Sequence, residues 1–233
     1  MEKILRDGFE ELGLTFTGEA LARFNAYYEY LDQRNRVMNL TAITRKEDTA
    51  RLHFLDCAAL LKAADFSGAR VVDVGTGAGF PGLPLKIISP DISLTLLDSQ
   101  KKRVDFLTET CEKLGFRDVV CLHARAEEAA AEMRETFDIA VSRAVARLNI
   151  LCELCMPFVR PGGLFLAMKG PDFSQELSEA EHAISVLGGK TLDIFSYTIP
   201  GTNIVHSVAL IKKVQSTPDR YPRRFARIQK SPL

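Results

Sequence analysis

The sequence predicts an open α/β sheet of seven strands, mostly parallel, with an antiparallel hairpin at one edge and a helical extension at the N-terminus. Three observations predict it. Short runs rich in valine and leucine alternate with helical stretches from residue 70 to residue 187, the pattern of parallel strands joined by right-handed crossovers. The first run, Arg70-Val71-Val72-Asp73-Val74, enters a loop containing Gly75, Gly77, Gly79 and Gly82, and an acid, Asp98, closes the second run. An open sheet builds a nucleoside pocket in this way, at the carboxyl ends of its strands. Finally, two β-rich segments, 190–199 and 204–214, follow each other directly across Pro200-Gly201-Thr202-Asn203, which reads as a hairpin.

Residues 1–66 read as the helical extension. Ile4, Leu5, Phe9 and Leu12 form one apolar stripe that Gly13 can end. Thr17 is placed to cap a helix running to residue 40, with Leu21, Phe24, Tyr27, Tyr28 and Leu31 at helical spacing. Asn39-Leu40-Thr41 breaks that pattern, and helix resumes over 48–64. Residues 67–214 form the main domain. Its strands are expected at 70–74, 93–98, 118–123, 137–142 and 163–168, and its helices at 81–89, 101–115, 126–134, 147–158 and 174–187. Residues 215–233 show no clear periodicity and predict a basic tail packed on the domain.

A chain of 233 residues is long enough for one α/β domain with an appendage. Its composition, 46% apolar and 26% charged, is that of a soluble globular protein. No apolar run approaches the ~20 residues of a membrane span, and the N-terminus lacks the apolar core of a secretory signal. Five scattered cysteines predict reduced thiols and a cytoplasmic protein. Cys152-x-x-Cys155 has no second Cys/His pair beside it, so two small buried helix residues are expected there and no metal. Formal net charge is zero, but the last 22 residues carry an excess of six positive charges. The remainder is therefore net acidic, a distribution that can steer a polyanion onto one face.

Two nucleoside cofactors compete for the glycine loop. Gly77-Ala78-Gly79-Phe80-Pro81-Gly82 satisfies the G-x-G-x-x-G of a dinucleotide fold. Asp73-Val74-Gly75-Thr76-Gly77-Ala78-Gly79 satisfies D-x-G-x-G-x-G, the loop of methyltransferases that use S-adenosylmethionine. Asp73 favours the second. A carboxylate before the first glycine would repel pyrophosphate, whereas it suits the α-ammonium of the methionine part, met directly or through water. The edge hairpin also fits the seven-stranded methyltransferase fold, and Ala126-Glu127 follows the third strand, where that fold meets adenine. Asp98 is placed to accept hydrogen bonds from two ribose hydroxyls. Phe80 either shapes the pocket floor or packs the helix on the sheet. Each residue also has a plainer use: Asp73 can bond loop N–H groups, and Asp98 can cap the helix that starts near Gln100.

The end of the fourth strand, Phe137-Asp138-Ile139-Ala140-Val141-Ser142-Arg143, faces the transferring methyl in this fold. It has no N/D-P-P-Y/F element to grip an exocyclic amine, and no Pro-Cys to supply the covalent thiolate of a C5-pyrimidine enzyme. Ser142-Arg143 suits an acceptor that needs no deprotonation, such as guanine N7, whose lone pair is free at neutral pH. Arg143 could bond the guanine edge, a phosphate or the methionine carboxylate.

Several motifs occur in one order: Asn39-Leu40-Thr41, His53-x-x-Asp56, the glycine loop, Ser142-Arg143-Ala144-Val145-Ala146, Lys169-Gly170 and Tyr221-Pro222-Arg223-Arg224. Together they resemble the bacterial ribosomal RNA small-subunit methyltransferase G family, also called glucose-inhibited division protein B. The resemblance implies a class I methyltransferase that moves a methyl group from S-adenosyl-L-methionine to N7 of one guanine in 16S rRNA of the small ribosomal subunit or its assembly intermediate. It implies cofactor contacts at Gly75, Phe80, Ala126, Glu127 and Arg143, beside Asp73, Gly77, Gly79 and Asp98. Cys57 stands where the family usually has serine. The expected site thus has Arg143, helped by Ser142, shaping the acceptor position, and Lys169, Arg223, Arg224 and Arg227 on RNA. His53 and Asp56, three apart on a helix, share a face and serve either RNA contact, loop positioning or a buried pair. A monomer is expected.

Overall fold

The computed structural model describes residues 1–143, 146–171 and 173–233. Ala144 and Val145 of the fourth-strand motif lie outside the described residues. The chain begins with α1 (Glu2–Glu11) and α2 (Gly18–Met38), followed by α3 (Lys46–Thr49), a π-helical turn (Ala50–Leu55), α4 (Asp56–Ala58) and α5 (Leu60–Ala63). Then come β1 (Arg70–Val74), α6 (Gly82–Ile88), β2 (Ser93–Asp98), α7 (Lys101–Lys113), β3 (Val120–His123), α8 (Ala126–Glu132), β4 (Phe137–Arg143) and α9 (Leu148–Cys155). The chain ends with β5 (Val159–Lys169), α10 (Ser174–Val186), β6 (Gly189–Thr198), β7 (Val205–Lys213) and α11 (Phe225–Lys230).

The seven strands form one sheet in the order β3-β2-β1-β4-β5-β7-β6. Strands β1 to β5 pair in parallel, and β7 runs antiparallel to both its neighbours. The order reverses at β1, with β2 on one side and β4 on the other. That places a crevice at the carboxyl ends of β1, β2 and β4.

Side chains alternate across the sheet and feed two apolar clusters. Val71, Leu94, Leu96, Ile139, Val141 and Leu166 pack on one face with Leu5, Phe9, Phe24, Tyr27 and Phe54 of the N-terminal helices. Val72, Val74, Leu97, Ala140 and Phe165 pack on the other face with α9, α10 and the tail residues Tyr221 and Ile228. The N-terminal helices therefore share the core of the sheet. Thr17 caps α2, its Oγ1 accepting from Ala20 N at 3.1 Å, and Asn39 ends α2 with a positive φ of 50°.

Four elements differ from expectation, one of them the short helix α11 in a tail whose sequence shows no periodicity. The helix expected over 48–64 is broken by the π turn, in which Asp56 N bonds back to Arg51 O; such turns widen one helical face. Strand β5 starts at Val159 because Val159 pairs with Phe137 before a register shift, so Pro161 and Gly162–Gly163 sit inside the strand. Pro157 tightens the end of α9 into a 3₁₀ turn, Met156–Phe158. The two thiols of Cys152 and Cys155 are wholly buried.

Candidate active site

The loop after β1 is built around Asp73. Its side chain is wholly buried, and Oδ2 accepts from Thr76 Oγ1 at 2.6 Å and from Gly82 N at 2.8 Å. Oδ1 has no hydrogen-bond partner among the described residues. Desolvation raises the carboxyl from its ordinary range to about 7, against the lowering effect of the Thr76 and Gly82 bonds. Gly75 N and Thr76 N donate to Leu97 O at 2.9 and 3.1 Å, tying the loop to β2. Asp98 ends β2 almost fully buried, with Oδ2 accepting from Gly77 N at 3.0 Å and Oδ1 from Gln100 N at 2.8 Å. From the other side, Tyr27 of α2 donates to Ala78 O at 2.5 Å.

Three cavities run in series over the sheet's carboxyl edge. The first, about 430 Å³, is lined by residues including Gly75, Thr76, Gly77, Phe80, Asp98 and Arg143. The second, about 130 Å³, shares Gly75, Asp98 and Ser99 with it and is completed by Ala126, Glu127 and Phe225. The third, about 500 Å³, shares His53 and Arg143 with the first and extends to Met168, Lys169, Ile204 and His206. A Cβ added at Gly77 would meet no atom within 4 Å, and Gly77 lines the first cavity, so the loop leaves that space open.

Arg143 stands between the first and third cavities. Its Nη1 donates to Leu52 O and to Asp56 Oδ2, both at 3.2 Å, and its Nη2 donates to His53 Nδ1 at 2.9 Å. Its guanidinium lies 4.9 Å over the Phe80 ring, which stacks on His53 at 4.2 Å. Burial, with Arg143 adding to it, lowers the His53 pKa to about 3. A neutral ring then accepts at Nδ1 and donates from Nε2 to Thr41 Oγ1, 2.9 Å away. Asp56 is the hub: its Oδ1 also accepts from Tyr197 OH at 2.7 Å and from His206 Nδ1 at 2.8 Å. The π turn sets His53 and Asp56 on either side of the same guanidinium.

Comparison with known proteins decides the family. The sequence profile described as rRNA small subunit methyltransferase G matches residues 20–205. The chain is 43% identical over 233 residues to a ribosomal RNA small subunit methyltransferase G of Clostridium perfringens (strain 13 / Type A), covering 99% of this chain and 98% of that protein. It is 44% identical to the protein of the same name from Alkaliphilus metalliredigens (strain QYMF), with the same coverage. The chain belongs to the rRNA small subunit methyltransferase G family. Among solved structures it resembles M. jannaschii TYW2 in complex with AdoMet, with a TM-score of 0.55 at 14% identity over 68% of this chain and 75% of that one. It also resembles a mutant of MtNAS, with a TM-score of 0.57 at 14% identity over 82% of this chain and 71% of that one. These two likenesses concern the fold, which is that of class I methyltransferases. This family member is accordingly a methyltransferase.

Within this methyltransferase the expected residues divide. Gly75, Gly77, Phe80, Asp98, Ala126, Glu127 and Arg143 all line the first two cavities. Asp73 and Gly79 do not line them. Asp73 braces the loop from beneath, and Gly79 (φ +103°) turns it where a Cβ would come within 2.5 Å of Leu83 Cδ1. Because Asp73 already takes Gly82 N–H, the start of α6 does not present that donor to a pyrophosphate, which disfavours the dinucleotide parse.

Ser142 is corrected: it is wholly buried and its hydroxyl is spent on Val74 O, 2.9 Å away on the neighbouring strand, so it presents no group to an acceptor. Lys169 reaches the third cavity, but its ammonium is bonded to Ala146 O at 2.8 Å and Glu176 Oε1 at 2.7 Å and is not open to phosphate. Arg223 is corrected likewise, being bidentate to the buried Glu153. Arg224 and Arg227 are exposed. Sequence reading missed Tyr197, His206, Ser99, Arg103 and Phe225. Tyr197 and His206 lie far from the motifs along the chain, and the hairpin register brings them in. Ser99 and Arg103 follow Asp98 closely and Phe225 follows Arg224 directly, so adjacency to those motifs was the signal that could have found these three.

Proposed function

We propose that this chain transfers a methyl group from S-adenosylmethionine to N7 of a guanine in 16S rRNA. The series of three cavities, joined at Asp98 on one side and at Arg143 on the other, is the observation that carries the reading. Their volumes and linings suit one cofactor and one acceptor base laid end to end. The second cavity, with Ala126, Glu127 and Phe225, would hold adenine. Asp98 stands where a ribose would pass between the first two cavities, and Gly75 and Gly77 let backbone approach the ligand. The open space over Gly77 and the unpartnered Asp73 Oδ1 beneath the loop both fit a ligand with a cationic amino-acid end. When bound, S-adenosylmethionine supplies a methyl group made electrophilic by its sulfonium.

The third cavity then takes the acceptor. Guanine N7 already carries a lone pair, so the protein need not remove a proton. Its task is alignment and exclusion of water. Arg143, fixed by Leu52 O, His53 and Asp56, forms a rigid partition between the two ligands. Phe80 stacks against its guanidinium and His53 stacks on Phe80, so a cofactor bound on one side and a base on the other meet across a wall with little freedom. Exposed Arg224 and Arg227 flank Phe225, whose N–H donates to Glu127, and they suit phosphate.

Methyl-labelled S-adenosylmethionine incubated with the full chain and unmodified small ribosomal subunits tests the reading. Label recovered in 7-methylguanosine after digestion of 16S rRNA is the expected result. Label in another nucleoside would leave the cofactor and overturn the acceptor.

A further inference from the structure

The third cavity has apolar walls, Ile43, Leu52, Met168 and Ile204, and three cationic or cation-forming groups, Arg143, Lys169 and His206, beside Asp56 and the neutral His53. Two of these are already engaged by the protein. The terminal nitrogens of Arg143 bond Leu52 O, Asp56 and His53, and the Lys169 ammonium bonds Ala146 O and Glu176. His206 differs. Its Nδ1 lies 2.8 Å from Asp56 Oδ1, and its Nε2 has no partner among the described residues. It sits on β7 opposite Tyr197 of β6, with its ring edge-on to the tyrosine.

We propose that His206, oriented by Asp56, reads the acceptor base by donating Nε2–H to O6 of guanine while N7 faces the transferring methyl group. The proposal rests on the function proposed above. Guanine presents two adjacent acceptors on this edge, N7 and O6, whereas adenine presents N7 beside an N6 amino donor. An N–H placed beside N7 therefore favours guanine and confronts adenine with a second donor. The flat apolar walls suit the faces of a base.

The chemistry of the His206–Asp56 pair sets the protonation state. A carboxylate only accepts, so Nδ1 carries the proton toward Asp56. In a neutral ring Nε2 would then be an acceptor. Only the imidazolium offers Nε2–H. The Asp56 hydrogen bond raises the His206 pKa, against desolvation and the nearby Arg143. The other groups facing it are neutral Tyr197 and His53, and Lys169 with its charge matched by Glu176. Asp56 also offsets the imidazolium beside a base that gains positive charge on methylation.

The test uses the full chain, unmodified small subunits and initial rates of 7-methylguanosine formation. His206→Ala is expected to lower kcat/KM by about ten- to a hundredfold, with S-adenosylmethionine affinity unchanged, since His206 does not line the cofactor cavities, and with Tm lowered by loss of the Asp56 bond. Wild-type kcat/KM should fall as pH rises through the raised histidine pKa, whereas His206→Gln, whose amide donates at every pH, should retain activity with a flat profile. Subunits carrying 2-aminopurine at the target position keep N7 and lack O6. Wild type should drop on them to the level of His206→Ala, and His206→Ala should drop no further. Unchanged rates in His206→Ala, or a slower variant that keeps the wild-type pH profile and O6 dependence, would overturn the proposal. Should His206→Ala fail to fold, His206→Gln carries the same comparison. Absence of 7-methylguanosine from the wild-type reaction would instead overturn the function beneath it.

Discussion

Asp73 combines two demands in one side chain. It holds the glycine loop through Thr76 and Gly82, and when ionised it places a negative charge beneath a site proposed to take a cation. Burial raises its pKa from an ordinary carboxylate value to about 7. A raised carboxyl contributes stability below its unfolded pKa that is lost as pH rises through the folded one. Wild type should therefore lose Tm between about pH 4 and 7 relative to Asp73→Asn. Cofactor binding should run the opposite way. Ionised Asp73 favours the ammonium end, so affinity should rise toward pH 7, by at most about tenfold per unit. Calorimetric titration from acid to neutral pH checks both signs. Asp73→Asn should bind more weakly and without that slope, and an equal slope in the variant would remove Asp73 from the explanation. From sequence, both uses of Asp73 were visible, the loop brace and the cofactor charge. Spacing along a chain does not say which oxygen is spent on the loop and which is left over.

At the scale of elements, periodicity located the helices and strands, because burial on one or two faces of a sheet dictates which residues are apolar. The π turn was not legible. A run such as Arg51-Leu52-His53-Phe54-Leu55 has an ordinary helical pattern. Residues 52, 53 and 56 are instead held to Arg143, whose strand lies about 90 residues further along the chain. The glycine loop makes the same contrast testable. Gly77 and Gly79 both have positive φ, at 61° and 103°, but only Gly79 is crowded, by Leu83 and Tyr27 OH. Gly77→Ala meets no atom, so it should cost stability only about 1–2 kcal/mol for the left-handed backbone while placing a methyl in the cofactor cavity. Gly79→Ala adds overpacking of typically about 1–3 kcal/mol to that strain. Thermal unfolding with cofactor titration separates them: Gly77→Ala should lose mainly binding, and Gly79→Ala mainly folding. Equal Tm losses would contradict the different crowding of the two sites.

Across the whole molecule, the tail shows what a charge count does and does not establish. Seven bases follow residue 211, yet Lys213 is wholly buried on Met156 O, Val159 O, Thr217 and Glu135. Arg223 is spent on Glu153. Buried partners cannot be inferred from composition, so the sequence overstates the charge facing solvent while giving the tail's basic character correctly. The tail is part of the fold: Tyr221 and Ile228 are buried in the second cluster, and Arg134 bonds Tyr221 O and Thr217 O. It also brings Phe225 against Glu127, so its docking completes the second cavity. Arg223→Ala would strand the wholly buried Glu153 carboxylate without its partner, a change that typically costs about 3–5 kcal/mol. At roughly 2–4 °C per kcal/mol for a chain of this size, Tm should fall by on the order of 10 °C. Cofactor affinity should fall with it, as the tail leaves Phe225 out of place. Arg224→Ala and Arg227→Ala should behave differently. Both side chains are exposed, so Tm should hold, while affinity for small-subunit RNA weakens and the salt slope of log K becomes shallower by about one for each phosphate no longer neutralised. Measuring Tm, cofactor Kd and salt-dependent RNA binding on the three variants separates an arginine that builds the site from one that meets the substrate. If Arg223→Ala kept its Tm and lost only RNA affinity, the Glu153 pair would not be what holds the tail.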